Sequence, residues 1–278
     1  PKLIDTNWLS NLKKFDRERY DSLKRLNSEN RKELAAIYSF NLELANIAWN
    51  ISEPELGYLK LRWWEDYVND MNRENPIGDN EYLRILSNLV AEEKLHKKDL
   101  LKLVKAREFD CSKKPFDNHE QQVEYIRDTS QNLLFMGLSC LSEFNDLSKR
   151  KSLSEYFGLS LGLARFILAA GSLSQNKCYS LFLPARIDYK VYFDCKLSDS
   201  ITERIRSEID FVFHLIEKGD KEIKNIGIKK NSLYVLNTVR NCLPILKEIR
   251  NNPQLIFRKK HKLRFGYKLI SKINELVT

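Results

Sequence analysis

The stretch from Tyr38 to Trp64 reads YSFNLELANIAWNISEPELGYLKLRWW, and it sets the fold. It is helical in character, rich in leucine and alanine. At helical spacing with Leu59 and Leu61, the pair Trp63-Trp64 puts one ring in the core and the other in a groove or interface. Outward from this stretch the same periodicity continues. Ile201, Ile205, Ile209, Val212, Phe213 and Ile216 form one apolar stripe, and Val123, Ile126, Leu133, Leu134, Leu138 and Leu141 form another.

Breaks in the pattern are sparse: Asn75-Pro76-Ile77-Gly78-Asp79, Lys114-Pro115, Ser174 to Asn176, Lys218-Gly219-Asp220 and Asn251-Asn252-Pro253. Ser152 with Glu155 fits a capping box opening a helix through Gly158 and Gly162. The one strand-like run, Tyr179 to Pro184, is short enough to be an extended connector. Roughly nine to eleven helices and no sheet are expected, in one all-α domain over residues 1–278.

Composition agrees. The chain has 278 residues, 42% of them hydrophobic, with only 9 Gly and 7 Pro, enough for a large core and too few turn-formers for an all-β fold. No unbroken apolar run of about 18 residues suggests a membrane-spanning helix. The first 15 residues hold Lys13 and Lys14 but no apolar core segment, so no secretory signal is expected. The 5 cysteines are widely spaced without C-x-x-C, which argues for buried thiols rather than disulfides or zinc. His96, His119, His214 and His261 are isolated from one another. His96 is expected to be exposed, and His214 to be a packing residue. A net charge of +9 is compatible with anionic lipid, nucleic acid or diphosphate and does not choose among them.

Longer motifs narrow the field. Phe15 to Tyr20 (FDRERY), Leu34 to Glu43, Ser52 to Gly57, Leu61 to Trp64, Gly158 to Leu163 and Leu181 to Pro184 together resemble the squalene/phytoene synthase family. Within it, NLELA, SEPELG and LRWW resemble a branch that includes bacterial proteins and an assembly factor for respiratory complex I. The resemblance implies a helical isoprenoid-synthase fold with a central cavity, in which Tyr38 and Gly158 would line the wall. Active members join two prenyl diphosphates head to head. Carboxylates at i, i+4 on two facing helices hold the magnesium that neutralises the leaving group.

On that pattern this chain departs residue by residue. The first acidic motif falls at Ala45, Asn46 and Trp49, and Leu42 stands in place of a preceding arginine. In the second, Gly162 and Arg165 replace amides, and Ala169 and Leu173 replace aspartates. The resemblance therefore implies a protein without a metal or other cofactor, acting by binding. Its partner would be a respiratory complex I subunit or assembly intermediate. The setting would be bacterial cytoplasm or mitochondrial matrix. An isoprenoid or lipid ligand is a further expectation. The alternative is an active magnesium-dependent prenyltransferase with ligands from elsewhere, for which Asp66 and Asp70 have the right spacing; on a polar helix face such a pair is ordinarily just solvated.

At the C-terminal end, Arg258, Lys259, Lys260, Lys262 and Arg264 interleave with Phe257, Leu263 and Phe265. This segment reads either as a contact with an anionic membrane or as a solvated helix face. No nucleic-acid-binding module accompanies it.

Overall fold

The computed structural model describes residues 7–71, 80–179, 189–226 and 228–258. In chain order the helices are α1 (Asn7–Phe15), α2 (Arg17–Ser22), α3 (Ser28–Ile47), α4 (Pro54–Asp70), α5 (Glu81–Ala91), α6 (Lys97–Ser112) and α7 (His119–Ile126). They continue with α8 (Asn132–Ser139), α9 (Leu147–Leu153), α10 (Ser160–Gln175), α11 (Tyr189–Phe193), α12 (Asp199–Ile226), α13 (Lys230–Leu236) and α14 (Leu243–Asn251). Among the described residues there is no strand. Of the strand-like run, only Tyr179 falls within them.

Helix α3 is the axis. The Asn27 side chain caps it, accepting a bond from the Asn30 N–H at 2.8 Å. From Leu34 to Leu42 every residue is buried. A helix apolar nearly all round must be enclosed, and α1, α5, α6 and α8 enclose this one. Pro54 opens α4, where its missing N–H removes no helical bond. The Trp63-Trp64 pair divides only in part, since Trp64 is half-buried against the core and borders the same groove as Trp63. Trp64 meets Phe40 edge-on at 5.4 Å, whereas Trp63 is 48% exposed and stacks on Tyr67 at 5.9 Å.

Two helix pairs are welded through π turns. Arg127–Gln131 joins α7 to α8, and Ser154–Leu159 joins α9 to α10. The second rod corrects the capping box. It begins at Leu147, where Asp146 accepts bonds from the N–H groups of Ser148 and Lys149, so Ser152 is mid-helix and donates to the Lys149 carbonyl. Asp146 with its two bonds is the stronger cap because a carboxylate also suits the positive end of the helix. From Leu147 to Gln175 the rod is long and apolar enough to cross a membrane, yet 72% of its most apolar window is buried inside the fold. Core packing accounts for that apolarity.

The two π turns lie against each other at Gly158. A Cβ there would stand 2.6 Å from Gln131 Cα, and backbone cannot rotate away as a side chain can. Gly158 is thus a close-packing residue, correcting its expected place on a cavity wall. Gly158→Ala is expected to cost about 1–3 kcal/mol. Urea unfolding should show a lowered midpoint with an unchanged slope.

Candidate functional site

Where α2, α3, α6, α7 and α10 converge, a cavity of about 590 Å³ opens. From α3 it is lined by Asn41, Leu42 and Ala45, and from α10 by Gly162, Arg165 and Phe166. Leu42 and Ala45 are three residues apart, and Gly162 and Arg165 likewise, so each pair shares a helix face. The two segments singled out in the sequence do face each other.

At the centre is an ion cluster. Arg165 donates to Asp16 Oδ1 at 2.8 Å and to Glu18 Oε2 at 3.2 Å. Arg19 donates to the other Asp16 oxygen at 2.6 Å. Asp16 also caps α2 by accepting from the Arg19 N–H, a local contact that helps to orient the carboxylate. Both acids are buried. Burial alone would raise the Asp16 pKa, but the Arg165 and Arg19 guanidiniums outweigh it and hold the carboxyl well below the usual range. Burial opposes the charge on Arg165 too, and Asp16 and Glu18 overcome it.

A second network closes the opposite wall. Arg107 donates to Asn41 Oδ1 at 2.8 Å, to Tyr125 Oη at 2.8 Å and to Asp110 Oδ2 at 3.0 Å. Tyr125 Oη in turn donates to Asp110 Oδ1 at 2.6 Å. Burial pushes the Tyr125 hydroxyl well above its ordinary pKa, so it stays a donor.

Other expected site residues lie elsewhere. Asn46 faces away from the cavity into a groove of about 240 Å³, shared with Glu43, Trp63 and Trp64. The reason is angular, since one residue on from Ala45 turns about 100° around the helix. Trp49 lies past the end of α3 and is 69% exposed, so its indole does not fill the cavity mouth. Ala169 is half-buried and Leu173 buried, and neither belongs to the lining. Tyr38 is also corrected: it is a core residue, 2% exposed, with the Arg19 guanidinium 5.6 Å from its ring. Asp66 and Asp70 are exposed on α4, away from the cavity. Of the basic patch, Arg258 is exposed and 3.8 Å from Glu248, while Lys259, Lys260, Lys262 and Arg264 lie outside the described residues. Among the described residues, no three His, Cys, Asp or Glu side chains cluster as metal ligands would.

All five cysteines are free. Burial pushes the Cys140 and Cys242 thiols far above their ordinary pKa, which suits inert packing. His96 is exposed as expected; His214 is exposed too, rather than packed, because it points off the apolar stripe of α12.

His119, isolated from the other histidines in sequence, is tied to α12. Its Nδ1 lies 3.2 Å from the buried Glu208 and 2.7 Å from the Arg204 guanidinium, which itself pairs with Glu208, and Gln122 and Phe211 lie beside the ring. The Glu208 bond raises the His119 pKa, outweighing burial and the Arg204 cation, which both lower it. A raised folded pKa gives stability that is complete below the unfolded value and lost as pH rises through the folded one. Melting temperature should therefore fall from about pH 6.5 upward by a component absent in His119→Gln. The half-exposed ring keeps that component below about 1 kcal/mol.

The helical shell, the facing α3 and α10 and the cavity between them make up an isoprenoid-synthase type of fold. A dehydrosqualene synthase structure superposes with a TM-score of 0.78 at 14% identity, covering 97% of this chain and 94% of that one. Squalene synthase HpnC from Alicyclobacillus acidocaldarius gives 0.69 at 15%, covering 88% and 95%. At such identities the likeness is one of fold. The sequence pattern of the Squalene/phytoene synthase family matches residues 12–266, and the chain belongs to that family. Curated relatives carry the name "NADH dehydrogenase (ubiquinone) complex I, assembly factor 6". The Bos taurus protein is 30% identical over 137 residues, 49% of this chain and 41% of that protein. The Homo sapiens protein is 30% identical over 130 residues, 47% and 39%. The matched part spans less than half the length of these relatives.

Proposed function

We propose that the chain is a non-catalytic member of its family that acts by binding, as an assembly factor for respiratory complex I. The observation that carries this reading is the chemistry of the cavity wall. Magnesium needs several oxygen ligands. Leu42, Ala45 and Gly162 offer none, and Asp16 and Glu18 are already committed to Arg19 and Arg165. These residues do not fit the metal cluster of a synthase, and no diphosphate chemistry is derived through one. The relatives' names support complex I as partner and, with it, the mitochondrial matrix as setting.

The surface best suited to a protein partner is on α4. Leu56, Leu59 and Trp63 fall on one helix face and are 47%, 68% and 48% exposed. Around them, Glu43, Glu55, Asp66 and Asp70 outnumber Lys60 and Arg62, on a chain whose net charge is +9. An apolar stripe with an acidic border suits an amphipathic, basic-flanked segment of a complex I intermediate better than it suits anionic lipid.

Calorimetry with a non-hydrolysable farnesyl diphosphate analogue, with and without Mg²⁺, tests the first half. No magnesium-dependent heat is expected; magnesium-dependent micromolar binding overturns the non-catalytic reading. For the second half, the tagged chain should co-migrate with complex I intermediates on native gels, and its absence from them counts against the partner.

A further inference from the structure

Beside the exposed face of α4, the end of α3 and α4 itself border a groove of about 240 Å³, on the side of α3 turned away from the central cavity. Two indoles form one wall. Trp63 and Trp64 meet edge to face at 4.8 Å, and Tyr67 stacks on Trp63 at 5.9 Å. Because Tyr67 covers one face of the Trp63 ring and the residue is still 48% exposed, the other face is open.

The α3 side supplies acceptors. Burial pushes the Glu43 carboxyl above its ordinary pKa, and no cation stands near enough to pull it back. A carboxylate drawn partly out of water is unfavourable until a counter-charge meets it. Asn46 and Asn50 follow Glu43 along the groove. The Asn50 side-chain N–H donates to the Asn46 backbone carbonyl at 2.9 Å, which leaves its own oxygen to accept. Lys60 lines the α4 side, yet no ion pair joins it to Glu43.

Aromatic faces attract cations, and a lone carboxylate wants one. An apolar side chain here would leave Glu43 unanswered, and an anion would oppose it. A guanidinium satisfies both walls at once, because its plane stacks on an indole while its fork of N–H groups reaches carboxylate and amide oxygens. We propose that this groove takes an arginine side chain of the protein partner, with Glu43 pairing the guanidinium and Trp63 stacking on it. The inference deepens the docking surface on α4 and rests on it. Trp63 belongs both to the groove and to the stripe of Leu56 and Leu59, so a basic-flanked segment laid on the stripe sets its flank beside Glu43.

NMR of the full chain with isotopically labelled tryptophans tests it, with N-acetyl-arginine N-methylamide as probe beside its uncharged norleucine counterpart and tetramethylammonium. The arginine amide is expected to shift the Trp63 and Trp64 indole signals and to saturate at millimolar concentration, whereas the norleucine amide gives no saturable shift. Glu43→Gln should weaken the arginine amide about three- to fivefold while the melting temperature holds, and Lys60→Glu should strengthen it about threefold. In pull-down of complex I intermediates, Glu43→Gln should weaken association by a similar factor. Leu56→Ala with Leu59→Ala truncates the stripe and leaves the groove whole. Loss of association in that double variant with full association by Glu43→Gln removes this inference alone; full association by both removes the α4 surface as well. Equal shifts from the norleucine amide, or no saturable shift from the arginine amide, overturn the proposal. Tighter binding of tetramethylammonium than of the arginine amide assigns the groove to a quaternary ammonium and overturns the arginine occupant.

Discussion

Arg165→Ala is expected to lower the unfolding free energy by about 3–5 kcal/mol, the usual cost of stranding a buried charge. Asp16 would keep Arg19, but Glu18, 8% exposed, would be left with the Cys242 thiol at 4.0 Å. A loss of that size should move the melting temperature by roughly 6–20 °C, given about 2–4 °C per kcal/mol for a chain of this length. Urea unfolding gives the free energy directly. Pairing Arg165→Met with Glu18→Gln removes both charges and should recover most of the loss, since a buried ion pair replaced on both sides is often neutral. A cost below about 1 kcal/mol for Arg165→Ala would show that the cluster is not the keystone of the wall.

The same cluster sets an acid limit. Because the folded Asp16 carboxyl is held well below its ordinary range, its contribution is complete above the unfolded value and lost as pH falls. Stability should decline below about pH 4, and Asp16→Asn should flatten that slope. At the alkaline side His119 works in the opposite sense, so the two groups favour the interval between.

Much of the architecture was legible because helical periodicity is a local property. Apolar spacing on α12 and along the Val123 to Leu141 stretch recurs as buried residues, except Phe213, which is half-buried. The cavity was legible only through family resemblance, and then in part. Leu42, Ala45, Gly162 and Arg165 face it; Asn46 and Trp49 do not, since a motif read as a string ignores the 100° turn per residue and the end of α3 at Ile47. The ion cluster went unread for a different reason. Asp16 and Arg165 are 149 positions apart, and no short-range pattern couples them. One local signal was there: an aspartate three residues before an arginine at a helix start caps the helix, and such a cap helps to orient the carboxylate. His119 and Glu208 meet through tertiary packing alone, as do Arg107 and Asn41.

Truncating the α4 face is expected to have the other large effect. If the proposed partner docks here, Trp63→Ala with Leu59→Ala should weaken association with a complex I intermediate by at least about 30-fold, because tryptophans at the centre of an interface commonly carry 2 kcal/mol or more. The folded state should tolerate the change. Both side chains are about half exposed or more, and the core beneath is held by Gly57, Leu61, Tyr67 and Val68, which are untouched. Quantitative pull-down with a defined intermediate, beside a melting curve, separates binding from folding. Charge reversal refines the test: Glu55→Lys with Asp66→Lys should slow association and reduce its salt dependence if the partner's flanks are basic. Should the tryptophan variant lose binding to anionic vesicles while keeping the protein partner, the α4 face is a lipid contact and the assembly surface lies elsewhere. Unchanged association in both assays would leave Leu59 and Trp63 as ordinary exposed residues.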